Sequence, residues 1–347
     1  MQPVDFRSDT ITRPDASMRR AMAEAVVGDD VFRDDPTVSE LEVTGASLLG
    51  QEAAIFCPSG TMANQIAARV HAPSGSEVLL HEGCHIYRFE QGGLAALHGI
   101  QAVPLAAPKG QVPIDSFRPH CRPDAPPSPV PRLIVLENTH NLSGGSVLPL
   151  SYVDDVVAFG KERGLRLHLD GARLGNAAVA LGVPLARLAR GFDSVTLCLS
   201  KGLGAPIGTL LAGSTSFIAA ALRVRKLLGG GMRQAGVLAA PGLLALRQGM
   251  ELLSADHRRA RALASSLSSC DGVKVLAPES NILVIELPFL DVPTTLAALE
   301  ARGVRALAFG PGRIRFVFHR DLDDAMLAAA TEVISEVLAG RNRRPTS

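Results

Sequence analysis

The feature that most restricts this chain is an alternation. Between residues 52 and 213, short apolar runs take turns with segments of helical periodicity. EAAIF (52–56), EVLL (77–80), RLIVL (132–136), LRLHL (165–169), SVTLCLS (194–200) and IGTLLAG (207–213) have the length and apolar content of strands. TMANQIAARV, SYVDDVVAFGKERG and ALRVRKLL, between or after them, read as helices. Strands alternating with helices predict an α/β fold, with a mostly parallel sheet sandwiched by helices. In such sheets ligands gather at the carboxyl ends of the strands. The residues that close each run are therefore where chemistry is to be sought.

The remainder of the chain reads differently. A long helical stretch runs from about Gly236 to Ser269. Beyond it VKVLAP, SNILVIELP, GVRALAF and RIRFVFH are strand-like, with one helix among them and DLDDAMLAAATEVISEVLAG after them. The 347 residues suffice for two cores. The expected division is a large domain over 1–249, including the N-terminal segment, and a small C-terminal α+β domain over 250–339. A disordered tail is expected over 340–347. Residues 108–132 are rich in proline, above all PDAPPSPVPR (123–132), and read as an exposed loop.

Composition narrows the function. Hydrophobic residues make up 47% and charged residues 20%, as in ordinary globular proteins. A net charge of +1 gives no electrostatic case for nucleic acid or an anionic membrane surface. No apolar run reaches the roughly 20 residues that a membrane span needs. The opening MQPVDFRSDTITRPD lacks the apolar centre of a secretory signal. The five cysteines are odd in number, widely spaced and without a Cys-x-x-Cys pair. They predict reduced thiols in an intracellular compartment and no metal site. The expected location is cytoplasmic, or mitochondrial if a transit peptide has been removed.

Two strand tips carry the chemistry. LRLHLDGARLGNA ends an apolar run on Asp170, and SVTLCLSKGLGAPIG ends another on Ser-Lys, at Lys201. Alone, Asp170 could be a turn or cap residue, and Lys201 a surface lysine with a buried stem. Together they match the needs of pyridoxal phosphate: an amine for its aldehyde, and a carboxylate that keeps the pyridine nitrogen protonated. EAAIFCPSGTMANQ adds a strand, a turn and a helix, so the amides of Gly60 and Thr61 and the Thr61 hydroxyl lie at a helix N-terminus suited to phosphate. An ordinary helix cap reads the same way. Arg233, in LLGGGMRQAG, is a second phosphate candidate or part of a flexible loop. In HEGCHIYRFEQGG either His85 or His81 could stack on the ring, and Glu90 could equally be a surface carboxylate.

The residues resemble those of the L-threonine aldolases of low-specificity type, within the aminotransferase-like fold-type I pyridoxal-phosphate enzymes. The resemblance runs from DFRSDTITRP (5–14) to IRFVFHRDL (314–322). It includes GDDVFRDDPTVSELE, PSGTMANQIA, HIYRFEQGG, ENTHNLSGG, HLDGARLGNA, CLSKGLGAPIG and LLGGGMRQAG in the family's order. It implies that Lys201 is the Schiff-base lysine, Asp170 the partner of the pyridine nitrogen and His85 the stacking histidine. It implies Gly60 and Thr61 as the phosphate cup, with Arg233 reaching a neighbouring subunit's phosphate. Ser8, Arg173 and Arg315 match the groups that hold the substrate carboxylate, and Glu90 an acidic residue that helps position water. The implied protein is a homo-oligomer, a tetramer with active sites at dimer interfaces. It would cleave L-threonine, L-allo-threonine and related β-hydroxy-α-amino acids to glycine and an aldehyde, in threonine catabolism and glycine biosynthesis. β-Elimination or transamination on the same cofactor is the alternative.

Three departures from the family pattern bear on the substrate pocket. The loop PDAPPSPVPR lacks the histidine that many members carry near the substrate hydroxyl, Phe318 stands where threonine is frequent, and Arg88 stands where an aromatic residue is common. Poor discrimination at Cβ is expected. The base that takes the β-hydroxyl proton is either His85 or a water held near Glu90.

Overall fold

The computed structural model describes residues 3–122 and 124–342. Its strands are β1 (Val4–Asp5), β2 (Ala53–Cys57), β3 (Glu77–His81), β4 (Gln101–Leu105), β5 (Pro131–Glu137), β6 (Arg166–Asp170), β7 (Ser194–Cys198), β8 (Thr209–Gly213), β9 (Lys274–Leu276), β10 (Ile282–Glu286), β11 (Val304–Arg305), β12 (Leu307–Ala308) and β13 (Arg313–Val317). Seven of them form one sheet in the order β2-β8-β7-β6-β5-β3-β4. β8 runs antiparallel to both neighbours, and the other pairs are parallel. The six apolar runs are all strands of this sheet. β4 (QAVPL) joins them; Pro104 conceals it in the sequence and is tolerated because β4 is an edge strand.

The runs are continuously apolar because both sheet faces are covered. Leu79, Ile134, Leu136, Leu167, Leu169 and Val195 pack into the main core, while Val78, Leu80, Leu133 and Val135 pack on the opposite side. The register aligns the strand ends: Glu137 lies opposite Asp170, and Thr209 opposite both Cys57 and Cys198. Six strand ends and the start of β8 therefore share one edge.

A second core sits under a four-stranded antiparallel sheet, β12-β13-β10-β9, with the helices Val292–Ala301 and Asp324–Asn342. The expected strand GVRALAF splits here. β11 pairs in parallel with β1, and β12 pairs with β13. The N-terminal segment, expected with the large domain, thus contributes β1 to the C-terminal unit. Fully buried Phe6 drives this, packing edge-on against Phe316 and Phe318 at 5.8 and 5.2 Å. Burial of an aromatic ring outweighs proximity in the chain. Phe318 is consequently a core residue of this unit rather than a pocket residue.

The helix Gly236–Leu267 crosses residue 250 without a break. Leu243, Leu246 and Leu253 belong to the first core, and Ala260 and Leu263 to the second. We propose that the domain division lies inside this helix. The proline-rich stretch is less open than expected. Val112 and Phe117 are buried, and Ile114–Phe117 is a helical turn. Its later part, of which Pro123 lies outside the described residues, meets the amino end of β5, where Arg122 pairs with Glu77. That end is about 20 Å from the edge that carries Asp170. The last helix continues to Asn342, so three residues of the expected tail are helical; 343–347 lie outside the described residues.

Gly171, directly after Asp170, tests how tightly this edge is built. A Cβ there would stand 1.9 Å from the backbone oxygen of Thr196 on β7. Gly171→Ala is expected to cost about 1–3 kcal/mol of stability by overpacking, read from the urea-unfolding midpoint. Gly340→Ala, where a Cβ meets nothing within 4 Å, is expected to be neutral or slightly stabilising.

Candidate active site

The shared edge collects most of the residues singled out from the sequence. The helix Gly60–His71 starts there because Ser59 caps it, its side chain accepting from the Met62 amide at 3.1 Å. The amides of Gly60 and Thr61 have no protein acceptor among the described residues. Beside them the buried Thr209 hydroxyl is also without a partner, 3.6 Å from where a Gly60 Cβ would stand. Free amides at a helix N-terminus with an orphaned hydroxyl make a phosphate cradle.

Asp170, at the tip of β6, is buried. It accepts from Asn64 Nδ2 at 2.8 Å and from the Ala172 amide at 3.0 Å. Lys201 follows β7, the neighbouring strand. Its carbonyl accepts from the Thr12 hydroxyl at 3.2 Å, and its ammonium makes no ion pair among the described residues.

His85 opens a short helical turn after β3. Its backbone N–H donates to Glu137 Oε2 at 2.6 Å, and its Nδ1 lies 2.9 Å from Glu90 Oε1. Burial opposes charge on this imidazole, but the Glu90 hydrogen bond and the Asp170 carboxylate outweigh it, so its pKa is raised. Glu90 itself is buried. It accepts from His85, from Asn64 Nδ2 at 2.9 Å and from Gln65 Nε2 at 2.6 Å. It therefore stands behind His85, not among groups open to a substrate. The rival His81 donates from Nε2 to Ala107 O and accepts at Nδ1 from the Gly83 amide, which commits both of its ring nitrogens. Glu137 was not anticipated. Burial and the adjacent Asp170 charge push its carboxyl up to about 7.

Arg173 and Arg315 meet at one atom. Arg173 Nη1 and Arg315 Nη1 lie 3.3 and 3.2 Å from Asn141 Oδ1. Arg173 is held from behind by Asp9 in a bidentate pair, with both contacts at 2.7 Å. Burial would raise the Asp9 carboxyl, yet Arg173 brings it down to about 2. Arg315 has no carboxylate among the described residues, and its Nη2 reaches only the Arg7 carbonyl at 3.3 Å. Burial and the Arg173 charge lower its pKa to about 10. Ser8 adjoins this cluster and caps the turn Asp9–Ile11. A half-buried guanidinium without a counter-charge suits an anionic ligand.

Arg233 stands apart. It is exposed, pairs with Asp29 at 3.0 Å, and touches none of the residues above. Arg88 is likewise exposed. The residues missed from the sequence carried faint signals. Asp9 adjoins Ser8, Asn141 lies in ENTHN, and Asn64 is one helical turn beyond Gly60.

An amine, a buried carboxylate on the next strand, a phosphate cradle and an anion-seeking arginine fit pyridoxal phosphate and an amino acid. Comparison with known proteins agrees. Threonine aldolase from Leishmania major superposes with a TM-score of 0.85 over 97% of this chain and 100% of its own. At 22% identity that likeness carries the fold alone. The protein is a fold-type I pyridoxal-phosphate enzyme. Its sequence matches the β-eliminating lyase family over residues 5–288. It is 43% identical over 331 residues to low-specificity L-threonine aldolase 1 of Arabidopsis thaliana, covering 93% of this chain and 92% of that protein. It is also 43% identical over 326 residues to the low-specificity L-threonine aldolase of Escherichia coli K12, covering 94% and 96%. The chain belongs to the low-specificity L-threonine aldolases.

The Asp9–Arg173 pair gives a direct test. Asp9→Asn removes the charge that holds a buried guanidinium, at a cost of about 3–5 kcal/mol in stability. KM for the amino acid is expected to rise more than kcat falls. The pair's contribution is present above the ordinary aspartate range and is lost as pH falls towards 2. Acid-unfolding curves of wild type and variant should therefore converge at low pH.

Proposed function

We propose that this chain cleaves L-threonine and L-allo-threonine to glycine and acetaldehyde, with Lys201 as the cofactor's anchor and Arg315 and Arg173 as the clamp for the substrate carboxylate. The observation that carries this is the convergence of both guanidinium groups on the neutral Asn141 oxygen. Asp170 would hold the pyridine nitrogen, His85 would cover the ring, and the Gly60 and Thr61 amides would hold the phosphate. Bound pyridoxal phosphate supplies an electron sink for the pair left when Cα–Cβ breaks. The protein's own part is mainly orientation. Arg315, Arg173 and Ser8 fix the carboxylate, and so select which bond at Cα is aligned to break.

Of the two candidate bases, His85 is favoured. Its Nδ1 is committed to Glu90, which leaves Nε2 to accept the β-hydroxyl proton, whereas Glu90 already accepts three donors. The protein's own proline-rich loop lies at the opposite end of β5, so no histidine from it reads the hydroxyl. Both epimers are expected to be cleaved within a factor of about a hundred, on the order of 1–3 kcal/mol. A product assay on each decides the reaction. Acetaldehyde with glycine supports the reading, whereas 2-oxobutyrate with ammonia means β-elimination, and a pyridoxamine form means transamination. Lys201→Ala is expected to abolish turnover and the cofactor's long-wavelength absorbance after dialysis.

The same reading makes the protein a homotetramer built from dimers, located in the cytoplasm or mitochondrion. No helix among the described residues is long and apolar enough to cross a membrane. Support for assembly comes from Arg233, exposed and paired only with Asp29 rather than with its own cofactor residues, and from Val26, Phe32 and Leu227, large apolar side chains left exposed. An arginine supplied across a two-fold axis completes both sites at once. Lys201→Ala and Arg233→Ala subunits, each inactive alone, should regain activity on forming hybrids. Proven hybrids that stay inactive would put both residues in the same subunit's site.

A further inference from the structure

Asn64 lies between the two carboxylates of the site, and its hydrogens can be assigned without ambiguity. Its Nδ2 lies 2.8 Å from Asp170 Oδ2 and 2.9 Å from Glu90 Oε1. One amide nitrogen has two hydrogens, and each carboxylate takes one. Its Oδ1 must then face His168 Nε2, at 3.1 Å, which must carry a hydrogen. His168 is fully buried two residues before Asp170, on the same face of β6. Burial holds its imidazole down to about 4, so it is neutral and its Nδ1 is bare. Ser194 lies 2.8 Å from that nitrogen and must donate to it. The Ser194 hydrogen is then used, so the 2.8 Å contact with His71 Nε2 is a donation from His71. His71 is stacked on Phe217 at 4.7 Å, at the far end of the helix that carries Asn64.

The chain His71, Ser194, His168, Asn64 therefore has one arrangement of hydrogens, and every donor points towards Asp170 and Glu90. A reversed Asn64 amide would set its oxygen against two carboxylates. His168 prevents this by offering that oxygen a donor on the other side.

We propose that Asn64 is a positioning residue that acts through Asp170 and, by way of Glu90, through His85, and that His168, Ser194 and His71 lock its amide. Asn64 and the Ala172 amide both donate to Asp170, whose remaining lone pairs leave capacity for a protonated pyridine nitrogen. Through Glu90 the same amide sets the stacking imidazole. The charge of the ring and the orientation of the group above it thus depend on one side chain. None of these four residues needs to touch substrate or cofactor.

This rests on the role given to Asp170 under the proposed function, and the test separates the two. Holoenzyme is reconstituted with pyridoxal phosphate labelled with nitrogen-15 in the ring, whose chemical shift reports protonation of that nitrogen. Asp170→Asn sets the unprotonated reference. Asn64→Leu and His168→Leu are expected to move the signal from the wild-type position towards that reference. His168→Gln, which can keep a donor for Asn64 Oδ1, should stay near wild type. In the two Leu variants kcat should fall on the order of tenfold or more with KM for L-threonine little changed. If Asn64→Leu does not fold, His168→Leu against His168→Gln carries the test. If Asp170→Asn moves the signal and the folded Leu variants do not, the proposal is overturned. If Asp170→Asn itself leaves the signal unmoved, the role of Asp170 fails and this proposal fails with it.

Discussion

Charge that is buried must be answered by charge or by hydrogen bonds, and most of the site's architecture follows from that constraint. Asp9, Glu90, Glu137 and Asp170 are all buried near one edge of the sheet. Each is supplied in its own way. Asp9 takes Arg173 bidentately, Glu90 takes three side-chain donors, Glu137 takes two backbone amides and Asp170 takes an amide from each kind. On the cationic side, Lys201 and Arg315 remain without a carboxylate among the described residues. What the protein leaves unbalanced is the charge that a phosphorylated cofactor and an amino acid bring.

That balance also joins the two units. Asp9 belongs to the segment after β1, Arg173 to the loop after β6, and Asn281, at 3.3 Å from Asp9, to the approach of β10. Arg315 comes from β13 and meets Arg173 at Asn141. The clamp proposed for the substrate carboxylate is therefore assembled from both units and the N-terminal segment. A change in how the units pack would move Arg315 relative to Arg173 while leaving Asp170, Lys201 and His85, which follow or end strands of the large sheet, in place relative to one another.

The elements were legible where a local pattern was strong. The six runs are strands, and the long helix extends from Gly236 to Leu267. The pattern failed where long-range contacts decided. β4 is hidden by Pro104, GVRALAF serves two sheets, and β1 pairs with a strand 300 residues later because Phe6 needs a core. The exposed loop read over 108–132 contains buried Val112 and Phe117, since a proline-rich composition marks backbone irregularity rather than exposure.

The sequence by itself determined that strands alternate with helices, that Asp170 and Lys201 close neighbouring apolar runs, and, through its motifs, the family. Those are properties of short segments, and short segments hold them wherever they lie. Tertiary structure alone decided which groups face one another. It set Glu90 behind His85, Asp9 behind Arg173 and Asn64 between two carboxylates, and it left Arg315 unpaired. Such facts depend on atoms brought within about 3 Å by residues far apart in the chain. Spacing in the sequence cannot supply them, because it records neighbours along the chain and not neighbours across the sheet edge.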